Sequence, residues 1–154
     1  MGIEIEKKFL LANSDWKNSI TSSHTIKQGY LNSNSKRTVR VRVLDEKAFI
    51  TIKSKSIDIS RQEFEYEIPL NEAIELLNLC EKPLIEKTRN IVIHNSNKWE
   101  IDVFDGDNKG LIIAEIELSN KKEKIDLPVW IGKEVSLESK YFNSTLIKKP
   151  YCKW

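Results

Sequence analysis

The chain has 154 residues, of which 40% are hydrophobic and 31% charged, with 25 Lys plus Arg against 23 Asp plus Glu. That length suits one domain with a real core, so residues 1–154 are read as a single unit. A net charge of only +2 argues against a simple nucleic-acid binder, which concentrates a basic excess on one surface, but leaves room for a local basic cavity. Cys80 and Cys152 are far apart and have no metal-ligand spacing. The start is not signal-like and no apolar run is long enough to span a bilayer. With two free thiols, the chain reads as cytoplasmic.

Strand signals dominate. Residues 2–11 alternate, and the polar stretch Asn13–Ser23 follows, with a short helical turn expected around Trp16. A second strand is expected over His24–Asn32, ending in the turn-rich run Asn32 to Ser35. Strands at 37–44 and 47–55 are joined by Leu44-Asp45-Glu46, short enough for a hairpin. The next strand, 61–68, stops at Pro69, and 71–80 carries Ala73, Ile74, Leu76, Leu77 and Leu79 at helical spacing, with Asn71 as its N-cap. Strands at 84–94 and 98–105 flank the turn Asn95-Ser96-Asn97. A last strand covers 111–118, and a C-terminal helix is expected from Leu137 to Ile147. Eight antiparallel strands joined mostly by hairpins can close into a barrel just wide enough for side chains or a small ligand. An open pair of sheets is the other possibility.

The charges on these strands are sorted by sign. Glu4 and Glu6, Glu63 with Glu65 and Glu67, Glu100 and Asp102, and Glu115 and Glu117 form acidic ladders at a spacing of two. Arg40 and Arg42, and Lys87 and Arg89, form basic ones, with Lys8 and Lys53 on the same kind of face. Residues two apart in a strand share a face. The ordinary arrangement puts such a face in water. Solvated strands, however, usually interleave opposite charges, and Arg40 and Arg42 are forked donors suited to phosphate oxygens. If the charges point inward, each costs several kcal/mol unless paired or bound to metal, so the lumen would need an organising ligand. Hard carboxylate oxygens select Mg²⁺ or Mn²⁺. The pattern alone leaves both facings open.

Longer motifs narrow the choice. Glu4-Ile5-Glu6-Lys7-Lys8 reads E-x-E-x-K, followed by Gln28-Gly29-Tyr30, Arg40-x-Arg42 and Thr51-Ile52-Lys53-Ser54. Then come Ser60 to Glu65, Glu86-Lys87-Thr88-Arg89, Glu100 to Phe104, Glu115-Ile116-Glu117 and Lys140-Tyr141-x-Asn143. In this order, over almost the whole chain, they resemble the CYTH superfamily, the triphosphate tunnel metalloenzymes. The compact length most resembles its small bacterial members that hydrolyse inorganic tripolyphosphate.

The resemblance implies a mainly β fold, a closed eight-stranded antiparallel β-barrel with a few short helices, whose charged parity lines a tunnel. It implies a divalent metal, Mg²⁺ or Mn²⁺, held at Glu4, Glu6, Asp102, Glu115 and Glu117. A linear triphosphate would be gripped by Lys8, Arg40, Arg42, Lys53, Lys87, Arg89 and Lys140. Lys8 would also serve the chemistry, and Glu63 or Glu65 would orient or deprotonate the attacking water. On the same scaffold the alternatives are a class IV-type adenylate cyclase or a thiamine, nucleoside or RNA 5′-triphosphatase. A noncatalytic module for polyphosphate or triphosphorylated RNA would need only the basic ladders, and a lipocalin-like carrier would need an apolar lumen. Neither a membrane nor ordinary nucleic acid is an expected partner, and a homodimer is left open. His24 and His94 are too isolated for a zinc site, and Trp16, Trp99, Trp130 and Trp154 read as packing rather than base stacking.

Overall fold

Tight turns force most of the alternating segments into antiparallel pairs. Asn95 and Ser96 both take positive φ, 47° and 66°, the geometry of a two-residue hairpin whose twist matches its strands. Asp45, at φ 51°, serves the other two-residue turn. In the computed structural model, which describes residues 2–154, the strands are β1 (Ile3–Leu11), β2 (Ile20–Asn32), β3 (Arg37–Leu44), β4 (Lys47–Ser54) and β5 (Ser60–Ile68). After helix α1 (Leu70–Leu79) come β6 (Ile85–His94), β7 (Asn97–Phe104), β8 (Ile112–Glu117) and β9 (Ile131–Glu134), then helix α2 (Asn143–Leu146). The strand order is β5-β4-β3-β2-β6-β7-β8-β1, and pairing of β1 with β5 closes the barrel. β1 divides one edge between two partners: Ile3 to Ile5 pair with β5, while Phe9 and Leu11 pair with the extra strand β9. Closure leaves these strands no long free edge.

Burial settles which parity faces inward. Lys8, Lys53, Lys87 and Glu115 are 6%, 8%, 3% and 6% exposed, whereas Phe64 and Tyr66, on the opposite face of β5, are 44% and 57% exposed. The charged rows therefore form the lumen, and the apolar core lies outside it. One apolar layer covers the outer face of β1, β6, β7 and β8. There Trp16, from a 3-10 turn over Asp15–Ser19, and Trp130 pack on Phe9, Val92, Trp99 and Ile101. Trp99 meets Phe9 and Trp130 edge-on, each at 5.6 Å between ring centroids. A second layer sets Ala73 and Leu77 of α1 against Val41 and Ala48. The third closes one end of the barrel. Tyr30, Ile85, Phe104 and Ile113 continue the inward parity of the charged rows, and Val135, Tyr141, Leu146 and Ile147 of the C-terminal segment plug the lumen against them.

Two local expectations fail for identifiable reasons. The N-cap of α1 is Pro69, not Asn71, so the cap lies two residues earlier than expected and the helix uses no side-chain cap. The helix expected over 137–147 is broken into a 3-10 turn, Ser139–Tyr141, and the short α2, because Phe142 between them is extended. β9 was not expected; its four residues carry almost no alternation. Gly132 admits it, since a Cβ there would come within 3.1 Å of the Leu10 carbonyl oxygen.

Gly29 marks another close approach. A Cβ on it would sit 2.7 Å from Cys80 Cβ and 2.6 Å from Leu84 Cδ2, where the chain leaving α1 crosses β2. Gly29→Ala should therefore cost about 1–3 kcal/mol from overpacking, read as a lower Tm in thermal melting. An unchanged Tm would show that Cys80 and Leu84 yield freely.

Candidate active site

The inward rows enclose a cavity of about 250 Å³ whose wall is mostly charged. Glu4, Glu6, Glu63, Glu65, Glu100, Glu115 and Glu117 face Lys8, Arg40, Arg42, Lys53, Arg61, Lys87, Arg89 and Lys98. Every residue expected in the site lines this cavity except two. Asp102 lies behind the wall, 0% exposed. Lys140 lies apart on the surface, with its Nζ 4.6 Å from the Trp154 ring centroid and 5.1 Å from that of Tyr141.

Across several strand pairs, charges of opposite sign meet. Lys53 is the register partner of Glu63, Glu4 of Arg61, Lys8 of Glu115 and Arg89 of Asp102. Lys8 Nζ lies 2.8 Å from Glu115 and 3.5 Å from Glu6. Lys53 Nζ lies 2.9 Å from Glu4 and 3.3 Å from Glu63, and Arg61 Nε lies 3.1 Å from Glu4. Arg89 grips Asp102 with two donors, at 2.8 and 2.9 Å, and gives a third, at 3.0 Å, to Glu100. Lys87 Nζ lies 2.7 Å from the same Asp102. Asp102 thus fixes two cations of the wall, and both its oxygens are occupied.

Arg40 and Arg42 are less well matched. They share one carboxylate, Glu65, at 3.6 and 3.4 Å, and that carboxylate also accepts from Thr51 Oγ1 at 2.7 Å. The Nε of each arginine is buried and has no partner among the described residues. Two guanidiniums against one carboxylate leave positive charge and unused donors, the combination that a phosphate group satisfies.

The electrostatics separate the carboxylates into two kinds. Burial opposes ionisation of Glu4, but Lys53 and Arg61 outweigh it and hold the carboxyl at about 2. Glu115 is likewise held well below its ordinary value by Lys8 and Arg89 despite burial. Glu6 behaves oppositely: burial, with Glu115 beside it, pushes it up to about 7, only partly offset by Lys8. Glu117, its cross-strand partner, is also raised, by burial and by Glu4 and Glu63. Burial lowers Lys87 to about 8 in spite of Asp102, and burial with Arg40 and Arg89 nearby lowers Arg42 to about 10.

Among the described residues, no three His, Cys, Asp or Glu side chains are gathered around one point as metal ligands. The donor chemistry nevertheless fits a hard divalent cation. Glu6 and Glu117 are register partners on β1 and β8 whose raised proton affinity a cation would relieve, with Glu4 and Glu115 on the same two strands. Asp102 fits poorly, being committed to Arg89 and Lys87.

Sequence reasoning left out several wall residues. Arg61 shares parity with Glu63 and Glu65, so alternation alone could have placed it, and Glu100, already on the acidic ladder with Asp102, was given no role in the site. Gln28 and Asn143 stand in quoted motifs but carry no charge, and only the fold shows that they meet, at 3.2 Å.

The model of the CYTH domain matches residues 2–151. The chain belongs to the CYTH family. A protein named inorganic triphosphatase from Acetivibrio thermocellus is 47% identical over 152 residues, covering 98% of this chain and 97% of that protein. Another of the same name, from Nitrosomonas europaea, is 31% identical over 147 residues, covering 93% of this chain and 95% of that protein. The crystal structure of the inorganic triphosphatase NE1496 superposes with a TM-score of 0.69 at 29% identity, covering 94% of this CYTH chain and 93% of its own.

The raised Glu6 carboxyl makes the stability of the metal-free CYTH barrel depend on pH. A carboxyl at about 7 in the fold and 4.5 ordinarily stabilises fully below pH 4.5 and loses that contribution as pH rises to 7. Glu4, held at about 2, contributes above 4.5 and loses its contribution as pH falls. In EDTA, Glu6→Gln should therefore raise stability above pH 7, by on the order of 2 kcal/mol, and give no gain at pH 4.5. Equal effects at both pH values in chemical denaturation would contradict the burial of an uncompensated carboxyl at this position.

Proposed function

We propose that this CYTH protein, acting as a single domain, hydrolyses inorganic tripolyphosphate to pyrophosphate and phosphate inside the tunnel, with Mg²⁺ or Mn²⁺ as cofactor. The observation that carries the reading is the pair Arg40 and Arg42, half-buried on the tunnel wall, with Nε atoms that have no partner among the described residues and one carboxylate between them. The relatives named inorganic triphosphatase support it, since both align over nearly the full length.

In this reading the triphosphate displaces carboxylates from the cations that now hold them. Arg40 and Arg42 exchange Glu65 for phosphate oxygens, while Lys8, Lys53, Lys87 and Arg89 complete the basic wall. Glu6 and Glu117, flanked by Glu4 and Glu115, would hold the divalent ion, which when bound neutralises phosphate charge and favours attack at phosphorus. Asp102 acts from behind, keeping Arg89 and Lys87 aimed at the cavity. Placement and charge stabilisation supply most of the rate in such transfers. Of the two acids on β5, Glu63 is the better candidate to orient water. Among the described residues its carboxylate meets Lys53 alone, at 3.3 Å, whereas Glu65 is engaged by two arginines and Thr51. Lys140 would join the phosphate contacts only by leaving the Trp154 ring.

One observation favours a second reading. A recess continuous with Arg42 and Arg89 is lined by Ser22, His24, Leu44 and Ile91, and could host the organic part of a nucleoside triphosphate. Phosphate release from tripolyphosphate, pyrophosphate, ATP and thiamine triphosphate, with each metal in turn, separates the two. Tripolyphosphate should be cleaved fastest, and Glu4→Gln should abolish the reaction. Preference for ATP would select the second reading, and turnover of none with tight tripolyphosphate binding would leave a binding module.

Arg42→Ala should lower kcat/KM for tripolyphosphate by roughly a hundredfold or more, as expected for loss of a buried charge-stabilising donor. Lys36→Ala, in the exposed turn before β3, should leave it unchanged. Comparable activity in the two variants would remove Arg42 from the site.

A further inference from the structure

The plugged end of the tunnel contains a polar contact that the charged rows do not account for. Asn143 opens α2, the short helix of the C-terminal plug, and lines the cavity. Its Oδ1 accepts two hydrogen bonds, from Gln28 Nε2 at 3.2 Å and from Lys87 Nζ at 3.1 Å. Both donors are deeply buried, Gln28 at 0% and Lys87 at 3% exposure. Rotating the Asn143 amide by half a turn would put its NH₂ group against an ammonium and another NH₂, leaving three donors facing one another with no acceptor. The amide therefore has one orientation. With Oδ1 held on Gln28 and Lys87, Nδ2 is the free end, and among the described residues it donates to nothing.

Gln28 is a costly way to hold an asparagine unless the hold matters. Its own Oε1 is buried and has no partner among the described residues, which costs the fold stability. An apolar residue of the same size would avoid that cost in this plugged end of the lumen, where Tyr30, Ile85 and Phe104 already pack.

Resting on the triphosphate reading above, we propose that Asn143 is an additional phosphate ligand, a neutral donor whose Nδ2 hydrogen-bonds an oxygen of the terminal phosphate at the plugged end. Gln28 is the positioning residue that keeps this donor turned toward the cavity. The terminal phosphate on this side must be unsubstituted, because apolar side chains fill the lumen beyond it. Lys87 touches both partners: it donates to Asn143 and stands at the wall where that phosphate rests. Any organic group on the triphosphate points toward the opposite mouth.

The test combines steady-state kinetics with Mg²⁺ and tripolyphosphate, thermal melting, and NMR of the wild-type protein. Asn143→Asp keeps the acceptor for Gln28 and Lys87 but loses the donor, and Asn143→Ala loses the donor without adding charge. Each should raise KM about tenfold, as for one lost hydrogen bond to a charged group, with a much smaller effect on kcat. Gln28→Leu should raise KM less, with Tm unchanged or higher, and Gln28→Leu combined with Asn143→Asp should be no worse than Asn143→Asp alone. In wild-type ¹H–¹⁵N spectra the Asn143 side-chain NH₂ pair should shift when tripolyphosphate is added. This last readout stands even if a variant fails to fold. Unchanged KM in Asn143→Asp, fully additive effects in the double variant, or an NH₂ pair that does not move while tripolyphosphate binds would each overturn the proposal. A wild-type protein that neither binds nor cleaves any triphosphate would instead remove the functional reading on which it rests.

Discussion

The fold depends on one costly arrangement, a barrel whose interior holds charge where other small barrels hold hydrocarbon. Removing an ion from water costs several kcal/mol even after relaxation, and pairing returns that only with good geometry. Good geometry is present on one side of the lumen, where Arg89 closes on Asp102 with two donors and Lys8 meets Glu115 at 2.8 Å. It is missing around Arg40 and Arg42, and around Glu6 and Glu117. The net stability therefore has to come from elsewhere. It comes from three apolar layers, two laid on the outer face and one driven into the end of the tunnel. Trp16, Trp99 and Trp130 do on the outside what a filled barrel does within.

The same arrangement makes the lumen a site. Sites of catalysis are where pKa values are pushed furthest from their ordinary range, and here two neighbouring acids on β1 are driven apart, Glu4 to about 2 and Glu6 to about 7. The unmatched charges are of both signs and face one cavity. Unused guanidinium donors call for an anion, and carboxyls whose proton affinity is raised call for a cation. A metal-bound polyphosphate supplies both at once, which no apolar ligand or simple anion does. Membership of the CYTH family, with relatives named inorganic triphosphatase, agrees with a conclusion that the side chains already favour.

Much of this was legible in the chain because strand periodicity is strict. Glu4 and Glu6, or Arg40 and Arg42, must share a face whatever the tertiary structure does, and E-x-E-x-K together with the motifs that follow it in order over almost the whole chain carried the family resemblance. Alternation could not say whether that face looked inward. Burial decides it, Lys8, Lys53 and Lys87 being buried while Phe64 and Tyr66 are exposed, and that follows from closure of β1 on β5, which sequence spacing leaves open. Lys140 shows the limit of carrying a motif over residue by residue: it stands in the right pattern, yet lies over the ring of Trp154, and nothing in the local sequence announces that contact. Asn143 shows the reverse. It is uncharged and three residues from Lys140, and only the plug formed by Tyr141, Leu146 and Ile147 brings it against Gln28, 115 positions away. The broken C-terminal helix was hidden for a related reason, since tertiary burial of those side chains, not helical spacing, sets its path.

The central claim is that the unmatched charges of the lumen are completed by a linear triphosphate and a divalent cation. The most direct measurement is the thermal melting of the wild-type protein with tripolyphosphate, pyrophosphate or phosphate, each with and without Mg²⁺. A ligand that binds only the folded state raises Tm in proportion to the logarithm of its saturation. Tripolyphosphate should raise it most, phosphate least, and Mg²⁺ should enlarge the tripolyphosphate shift. Equal small shifts for all three anions, or a tripolyphosphate shift that Mg²⁺ abolishes while the tripolyphosphate is still intact, would contradict the account.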